Sequence, residues 1–374
     1  MADKDTMVWM VRRPVKSFLA WLASAKPQPF PADAQRILVV REGGFGDLIL
    51  TMPILRALRQ RVGPDVTIDL LVREPVAGMM AGNGVTDNLY AKGNSLFHAI
   101  PTILAMRRRR YQAVVDLVSS PSLSFALWIL AAAPRAHRSG GDKAELRGMY
   151  HQHAELPPRP SIHFMERLRR IAAFATGDAP VCDEIPWFNW PADVRERADS
   201  VWRSVVPQSN LGSARGRVVL VNLSAGLPRR TWPDQLYREL LSDLVPRYEG
   251  RIERWIITSS PAERHRALAL LTAVNRPELV ILPPQSDFRV IAALAGRADV
   301  VLTPDTSLVH AASAAGVPVV GFTVAENVIS WAPWRIPCAV VAAPPGMTVS
   351  AIPVSEVAAA FDRLMTKLFP RQRP

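Results

Sequence analysis

Two cysteines, Cys182 and Cys338, stand far apart in a chain of 374 residues. They are too few and too distant for a zinc cluster or a disulfide framework, and such scarcity suits a reducing compartment. No stretch has the uninterrupted apolar length of a bilayer-spanning helix, which leaves a soluble or peripheral protein. There is no short internal repeat and no low-complexity tract, and the scattered acids show no metal-ligand spacing. Acidic residues are outnumbered: 33 Asp and Glu against 45 Lys and Arg give a net charge of +12. That balance favours an anionic partner, whether nucleic acid, an acidic membrane surface or a phosphorylated small molecule. The basic residues are dispersed and no known nucleic-acid-binding motif accompanies them, so nucleic acid is not expected.

With 49% hydrophobic residues the chain can bury a full core, and its length suits two domains better than one. Strand-length apolar runs, "RILVV" (36–40), "VTIDLLV" (66–72) and "YQAVVDLV" (111–118), alternate with longer segments of helical periodicity, the rhythm of parallel βαβ units. The proline-crowded "GDAPVCDEIPWFNWPADV" (177–194) reads as a connection. A second series follows with "RVVLVNLS" (217–224), "RWIITSS" (254–260), "LVILPP" (279–284), "DVVLTPD" (299–305) and "VPVVGFT" (317–323). We therefore expect a basic extension over 1–32, an α/β domain over 33–176, a linker over 177–213, a second α/β domain over 214–350 and a terminal helical segment over 351–374.

The extension mixes Trp, Phe and Leu with Arg12, Arg13 and Lys16. As a signal peptide it is marginal, because Pro14 interrupts it. An amphipathic segment on an anionic membrane and a loosely ordered tail or domain-packed helix are equally compatible with it.

Ligands of open parallel sheets sit beyond the carboxyl ends of the strands, so chemistry is sought in those loops. After the first strand comes "REGGFGD". A dinucleotide fingerprint needs another glycine where Ile49 stands and an acid where Arg73 stands, which weakens a nicotinamide-dependent oxidoreductase, although Arg73 would suit NADP. Gly43, Gly44 and Gly46 instead suit a tight turn with close backbone approach that sets Asp47 in the first turn of a helix, either as a reactive carboxylate or as a helix-dipole partner. In the second half, Ser224 opens "SAGLPRRTWP", whose backbone amides and Arg229 and Arg230 are equipment for a diphosphate, or a solvated basic pair. Glu263 opens another helix, where an acid is most commonly a dipole partner. In "TPDTSLVHAASAAG", Asp305 and Thr306 cap a helix that begins with Ser307 and Leu308 and carries His310, making an anion site at its N-terminus.

"GGFGDLILTMPILRALR", "RRRRYQAVVDLV", "RRTWP" and "PDTSLVHAASAAGVPVVGF", in this order and spacing, resemble glycosyltransferase family 9, the ADP-heptose lipopolysaccharide heptosyltransferases. The similarity runs from about residue 36 to the C-terminal helix. It implies an α/β GT-B fold, with two Rossmann-like domains whose parallel sheets face across a cleft and a last helix that crosses back to the first domain. It implies Asp47 as general base on the acceptor hydroxyl, with Gly44 and Gly46 beside it as acceptor-binding residues. Arg230 then falls on the donor phosphates, Glu263 on the donor ribose and Asp305 near the transferred sugar. Ser224, Thr306, Ser307, Leu308 and His310 fall on the loops around the diphosphate. Ser307 stands where the family often has glycine, and Arg230 where it often has lysine.

The activity so implied is an inverting, metal-independent transfer of a heptose-type sugar from ADP-heptose to a lipopolysaccharide core or related glycan, with no cofactor. Arg135, Arg138 and Lys143, read as a basic loop on the acceptor side, become candidates for acceptor phosphates. The expected partners are the nucleotide sugar, an anionic glycolipid and the inner-leaflet surface, in a cytoplasmic protein peripheral to the inner membrane. A same-fold transferase with another donor or acceptor is the nearest alternative, and an NADP-binding oxidoreductase a remote one.

Overall fold

The computed structural model describes residues 24–177, 190–206 and 216–370. Most of the basic extension, Cys182 and much of the expected linker lie outside the described residues. The chain forms two compact units. One holds the residues up to Pro158 and the segment that begins at Phe164; the other holds Arg159–His163 and the remainder.

The first unit is a six-stranded parallel sheet of β1 (Arg36–Val40), β2 (Thr67–Arg73), β3 (Asn88–Lys92), β4 (Ala113–Asp116), β5 (His137–Gly141) and β6 (Gln152–Ala154), in the order β3-β2-β1-β4-β5-β6. β1 is almost continuously apolar because both faces of a central parallel strand are covered. Val40 pairs with Leu71 on one side and Asp116 on the other, so the chain order reverses between β1 and β4. The helices are α1 (Phe45–Ile49), α2 (Met52–Val62), α3 (Glu74–Met80), α4 (Leu96–Arg108), α5 (Leu123–Ala132) and α6 (Phe164–Thr176). Met106 of α4 and Phe125 and Ile129 of α5 pack with Leu38 and Val114 on one face of the sheet.

β5, "HRSGG", has none of the β-branched residues that mark a strand. It is a strand because large neighbours lie on its glycines: a Cβ at Gly140 would come within 2.7 Å of the Tyr150 ring, and one at Gly141 within 2.8 Å of Leu156. The stretch read from sequence as a basic loop is thus partly buried sheet, a tertiary effect that propensity does not carry.

The second unit repeats the plan with β7 (Arg217–Asn222), β8 (Ile252–Thr258), β9 (Leu279–Ile281), β10 (Val300–Pro304), β11 (Val319–Thr323) and β12 (Cys338–Ala342), ordered β12-β11-β10-β7-β8-β9. β9 stops short of its apolar run, which ends in Pro283 and Pro284. Within the stretch expected as a linker, α7 (Ala192–Val205) packs on α10 (Phe288–Ala295). The other helices are α8 (Asp234–Arg247), α9 (Arg264–Val274), α11 (Ser307–Ala314) and α12 (Val354–Leu368). α12 lies on α8, β11 and β12, and its Phe361 ring is 5.3 Å from that of Trp255. The helix that the family resemblance sends to the first domain therefore packs on the second unit's own sheet.

Candidate active site

In each unit, buried polar side chains gather where the two central strands end, the place where an open α/β sheet leaves a crevice. At the first switch point Arg41 directly follows β1. It is 1% exposed, and its guanidinium lies over the Phe164 ring at 4.8 Å. One arm of the fork donates to Leu117 O (3.1 Å), just past β4, and the other to Asp47 Oδ1 (2.5 Å). The second Asp47 oxygen accepts from Gly44 N (2.8 Å), which closes the N-terminus of α1. Asp47 is thus held by a charged and a backbone donor while its side chain remains partly open to solvent.

The turn needs its first glycine. Gly43 has φ +158, and a Cβ there would sit 2.4 Å from the Asp47 Cβ, whereas one at Gly44 comes no nearer than 3.9 Å to Asp47 Oδ2. Gly46 is buried inside α1. Sequence reasoning gave the turn to all three glycines, named only Gly44 and Gly46 as site residues, and missed Arg41. The available signal for Arg41 was a lone charge placed at the end of an apolar strand. Beside this loop Glu42, Ser120, Ser122, Ser124 and Leu127 line an open groove of about 480 Å3.

The three basic candidates do not converge on Asp47. Arg135 is exposed in the turn that precedes β5, and Arg138 pairs with Val114 near the start of β4; both therefore sit toward the amino end of a parallel sheet. Arg138 is buried and donates to Met149 O, Pro134 O and Ala136 O. Lys143 follows β5 at the carboxyl end, but it is buried and donates to Asp116 Oδ2 (2.6 Å) and Tyr150 OH (2.9 Å). Tyr150 OH donates to the same carboxylate oxygen, and burial, with the Asp116 charge beside it, raises its phenol well above the usual range.

At the second switch point Asn222 ends β7. Its amide donates to Thr303 Oγ1 of β10 (3.0 Å), to Ser224 O (3.0 Å) and to Thr306 Oγ1 (3.4 Å). This residue, missed in the sequence, ties the two loops together; its signal was an amide closing an apolar run. Thr306 caps α11 by accepting from Leu308 N (3.2 Å). Arg230, at the end of a 3-10 turn over Pro228–Arg230, donates to Asp305 O (3.3 Å) and lies 3.5 Å from Asp305 Oδ2. That oxygen also accepts from Asn327 Nδ2 (2.6 Å) and Thr323 Oγ1 (3.3 Å). Ser307 begins α11, and His310 is buried on it, 5.8 Å from the Trp331 ring.

Ser224 Oγ accepts from Ser260 N (2.7 Å), and Ser260 Oγ donates to Glu263 Oε2 (2.7 Å). Arg266 donates to the other Glu263 oxygen. Partial burial by itself pushes the Glu263 carboxyl up; hydrogen bonds from Ser224, Ser260 and Arg266 outweigh it and hold the group below the usual range. Ser224, Arg230, Glu263, Asp305 and Thr306 thus lie on the loops at the carboxyl ends of β7, β8 and β10, with Ser307 and Leu308 in the first turn of α11 that follows β10. Among the described residues no group of three or more His, Cys, Asp or Glu side chains is placed to hold a metal ion.

Two units of Rossmann strand order, with their polar residues at the switch points, are the architecture of the GT-B glycosyltransferases. The family model described as glycosyltransferase family 9 (heptosyltransferase) matches residues 102–344. The chain belongs to that family, and it is a glycosyltransferase. The fold agrees: a glycosyl transferase family 9 protein from Veillonella parvula superposes with a TM-score of 0.73 at 17% identity, covering 91% of this chain and 99% of that one. The Escherichia coli ADP-heptose LPS heptosyltransferase II follows with TM-score 0.66 at 18% identity (89% and 99% covered). E. coli heptosyltransferase WaaC with ADP gives 0.65 at 19% (88% and 99%). A search of the curated proteins finds no match. Sugar transfer, rather than the hydride transfer kept as a remote alternative, is the reaction class. The matched span contains Arg230 to His310 and begins after Asp47.

Proposed function

We propose that the protein transfers a heptose-type sugar from ADP-heptose to a lipopolysaccharide core or related anionic glycan, with inversion. The donor is favoured by the family and by the E. coli relative described with ADP bound. In this reading the acceptor hydroxyl oxygen bonds to the anomeric carbon as the bond from that carbon to the diphosphate oxygen breaks. The hydroxyl proton passes to Asp47, and the electron pair leaves with the nucleoside diphosphate. One displacement inverts the centre and needs no covalent intermediate.

The observation that carries the proposal is the hold on Asp47. A carboxylate that is to accept a proton late in the transfer has to be aimed, and Arg41 and Gly44 N fix both of its oxygens. In the second unit Arg230 and the N-terminus of α11 supply positive potential for the charge that develops on the leaving diphosphate. Glu263, kept ionised, is an acceptor suited to a ribose hydroxyl. Asp305 uses Oδ2 for Asn327, Thr323 and Arg230, and Oδ1 takes none of these contacts, which suits it to a sugar hydroxyl. Arg135 and Arg138, toward the amino end of the first sheet, take no part in this reading, and Lys143 has a structural role beside Asp116.

A panel of nucleotide sugars, read by nucleotide diphosphate release with and without a core-lipid acceptor, tests donor and acceptor together. Acceptor-dependent release from ADP-heptose alone supports the reading; preference for another nucleotide sugar overturns the donor assignment. Asp47→Ala is expected to abolish transfer with donor affinity nearly unchanged, and full activity in that variant would refute the base.

A further inference from the structure

α4 presents apolar side chains in two directions. Ala99, Ile103 and Met106 face the first unit's core. On another side Phe97 is 90% exposed, Ile100 59% and Leu104 49%, a stripe with the i, i+3, i+7 spacing of one helix face. Large apolar residues scattered singly on a surface are unremarkable, but a contiguous stripe is not. Continuing the same spacing leads to Arg107 and Arg108, which fall on either side of the stripe's end and are both exposed. From Asn88 through Val115 the chain has no acidic residue. The surface is therefore apolar along one line, cationic at its end and free of acids along its own element.

Leu127, 45% exposed, is a further exposed apolar side chain on α5, which packs beside α4 and is tied to it by Arg107 donating to Ala131 O. Leu127 also lines the groove shared with Glu42 and Ser120, at the loop that leads to Asp47. The apolar stripe and the groove beside the proposed base thus lie on adjacent helices of one unit.

We propose that this face docks the protein on an anionic phospholipid bilayer. Phe97, Ile100 and Leu104 enter the interface, and Arg107 and Arg108 meet the headgroups. Apolar insertion combined with basic contact is the physics of a peripheral helix in the interfacial plane. A bilayer fits better than a second copy of the chain, because a second copy would bring another arginine cluster to a face whose helix offers no acid to receive it. Among the described residues no helix is long and apolar enough to cross a membrane. The proposal rests on the proposed function only in supposing a lipid-borne acceptor; docking beside the groove would present that acceptor's headgroup sugar to Asp47.

The test is co-sedimentation of the full chain with phosphatidylcholine vesicles, with and without phosphatidylglycerol. The expected result is stronger partition onto the anionic vesicles, weakening as salt rises. Phe97→Ser/Ile100→Ser/Leu104→Ser should lower that partition about a hundredfold, since three large side chains no longer enter the interface. Arg107→Gln/Arg108→Gln should lower it about tenfold or more, on anionic vesicles only. All five positions are exposed, so the apolar triple variant should melt with the unsubstituted protein, and the arginine variant slightly below it through loss of the Arg107 bond to Ala131 O. Turnover of a water-soluble, deacylated acceptor should be unchanged in the apolar triple variant. Equal vesicle binding by the triple variant overturns the proposal, as does a dimer that this variant converts to monomer without a change in vesicle binding. Vesicle binding that depends on these residues, in a protein that transfers to no acceptor, supports docking and overturns the functional reading instead.

Discussion

Arg41→Met removes the cation that aims Asp47 while keeping much of the buried volume over Phe164. The arginine is almost wholly buried and Asp47 is 24% exposed at its side chain. Breaking a fully buried ion pair costs about 3–5 kcal/mol, because the remaining charge is stranded. Here water can reach the carboxylate, so a smaller loss of about 2 kcal/mol is expected, a Tm decrease of about 4–8 °C for a unit of this size. The functional effect should be larger in kind. With only Gly44 N holding one oxygen, the carboxylate explores other rotamers, and misplacement by about 1 Å costs about a hundredfold in rate. Arg41→Met should therefore lower kcat about a hundredfold and leave the donor KM unchanged. Arg41→Lys restores a charge but not a fork that spans Leu117 O and Asp47 together, so it should recover only part, to within about tenfold of the original kcat. The assay is steady-state nucleotide diphosphate release with donor and acceptor varied in turn, beside a thermal melt. Wild-type kcat in Arg41→Met would refute the positioning role. A loss that follows donor KM, or equal kcat in the Met and Lys variants, would show that the arginine acts through stability alone.

Gly43→Ala should lower kcat at least about tenfold, since its Cβ meets a backbone-anchored atom of Asp47, whereas Gly44→Ala, with room at its Cβ, should cost far less; equal effects would remove the close-approach argument. Lys143→Met should destabilise by about 3–5 kcal/mol in urea unfolding by stranding Asp116, and adding Asp116→Asn should return part of that loss; additive losses would contradict it. His163 is held neutral: burial, against a hydrogen bond to Ala332 O and with His310 nearby, lowers its imidazole to about 4. Its folded value lies below the unfolded one, so its contribution is intact above about pH 6.5 and is lost as pH falls toward 4, a decline of about 3 kcal/mol. His163→Phe should flatten that part of the stability profile, and an unchanged profile would count against the burial argument.

Eight of the twelve strands were legible as apolar runs; seven of them are interior parallel strands, covered on both faces and so apolar nearly throughout, and the eighth, β9, is an edge strand. β3, β5, β6 and β12 were not. Their residues become strands through neighbours distant in sequence, as Tyr150 over Gly140 shows. The terminal helix α12 was visible from its spacing, but which sheet receives its apolar face depends on Trp255 and its surroundings, which periodicity cannot name.

The loops that carry Asp47, Arg230, Glu263 and Asp305 were marked in the sequence, since chemistry in a parallel sheet collects after its strands and the chain order alone says where those loops fall. Which side chains are available there is a different matter. Arg138 and Lys143 look like free cations in one dimension; the fold spends the first on carbonyls and the second on Asp116. Arg41, an unremarked residue after a strand, is the one aimed at Asp47. Residue type and spacing fix what a loop contains, because both are local. Burial and pairing depend on contacts between residues far apart in the chain, such as the fork of Arg41 reaching Leu117, and those exist only once the sheet has formed.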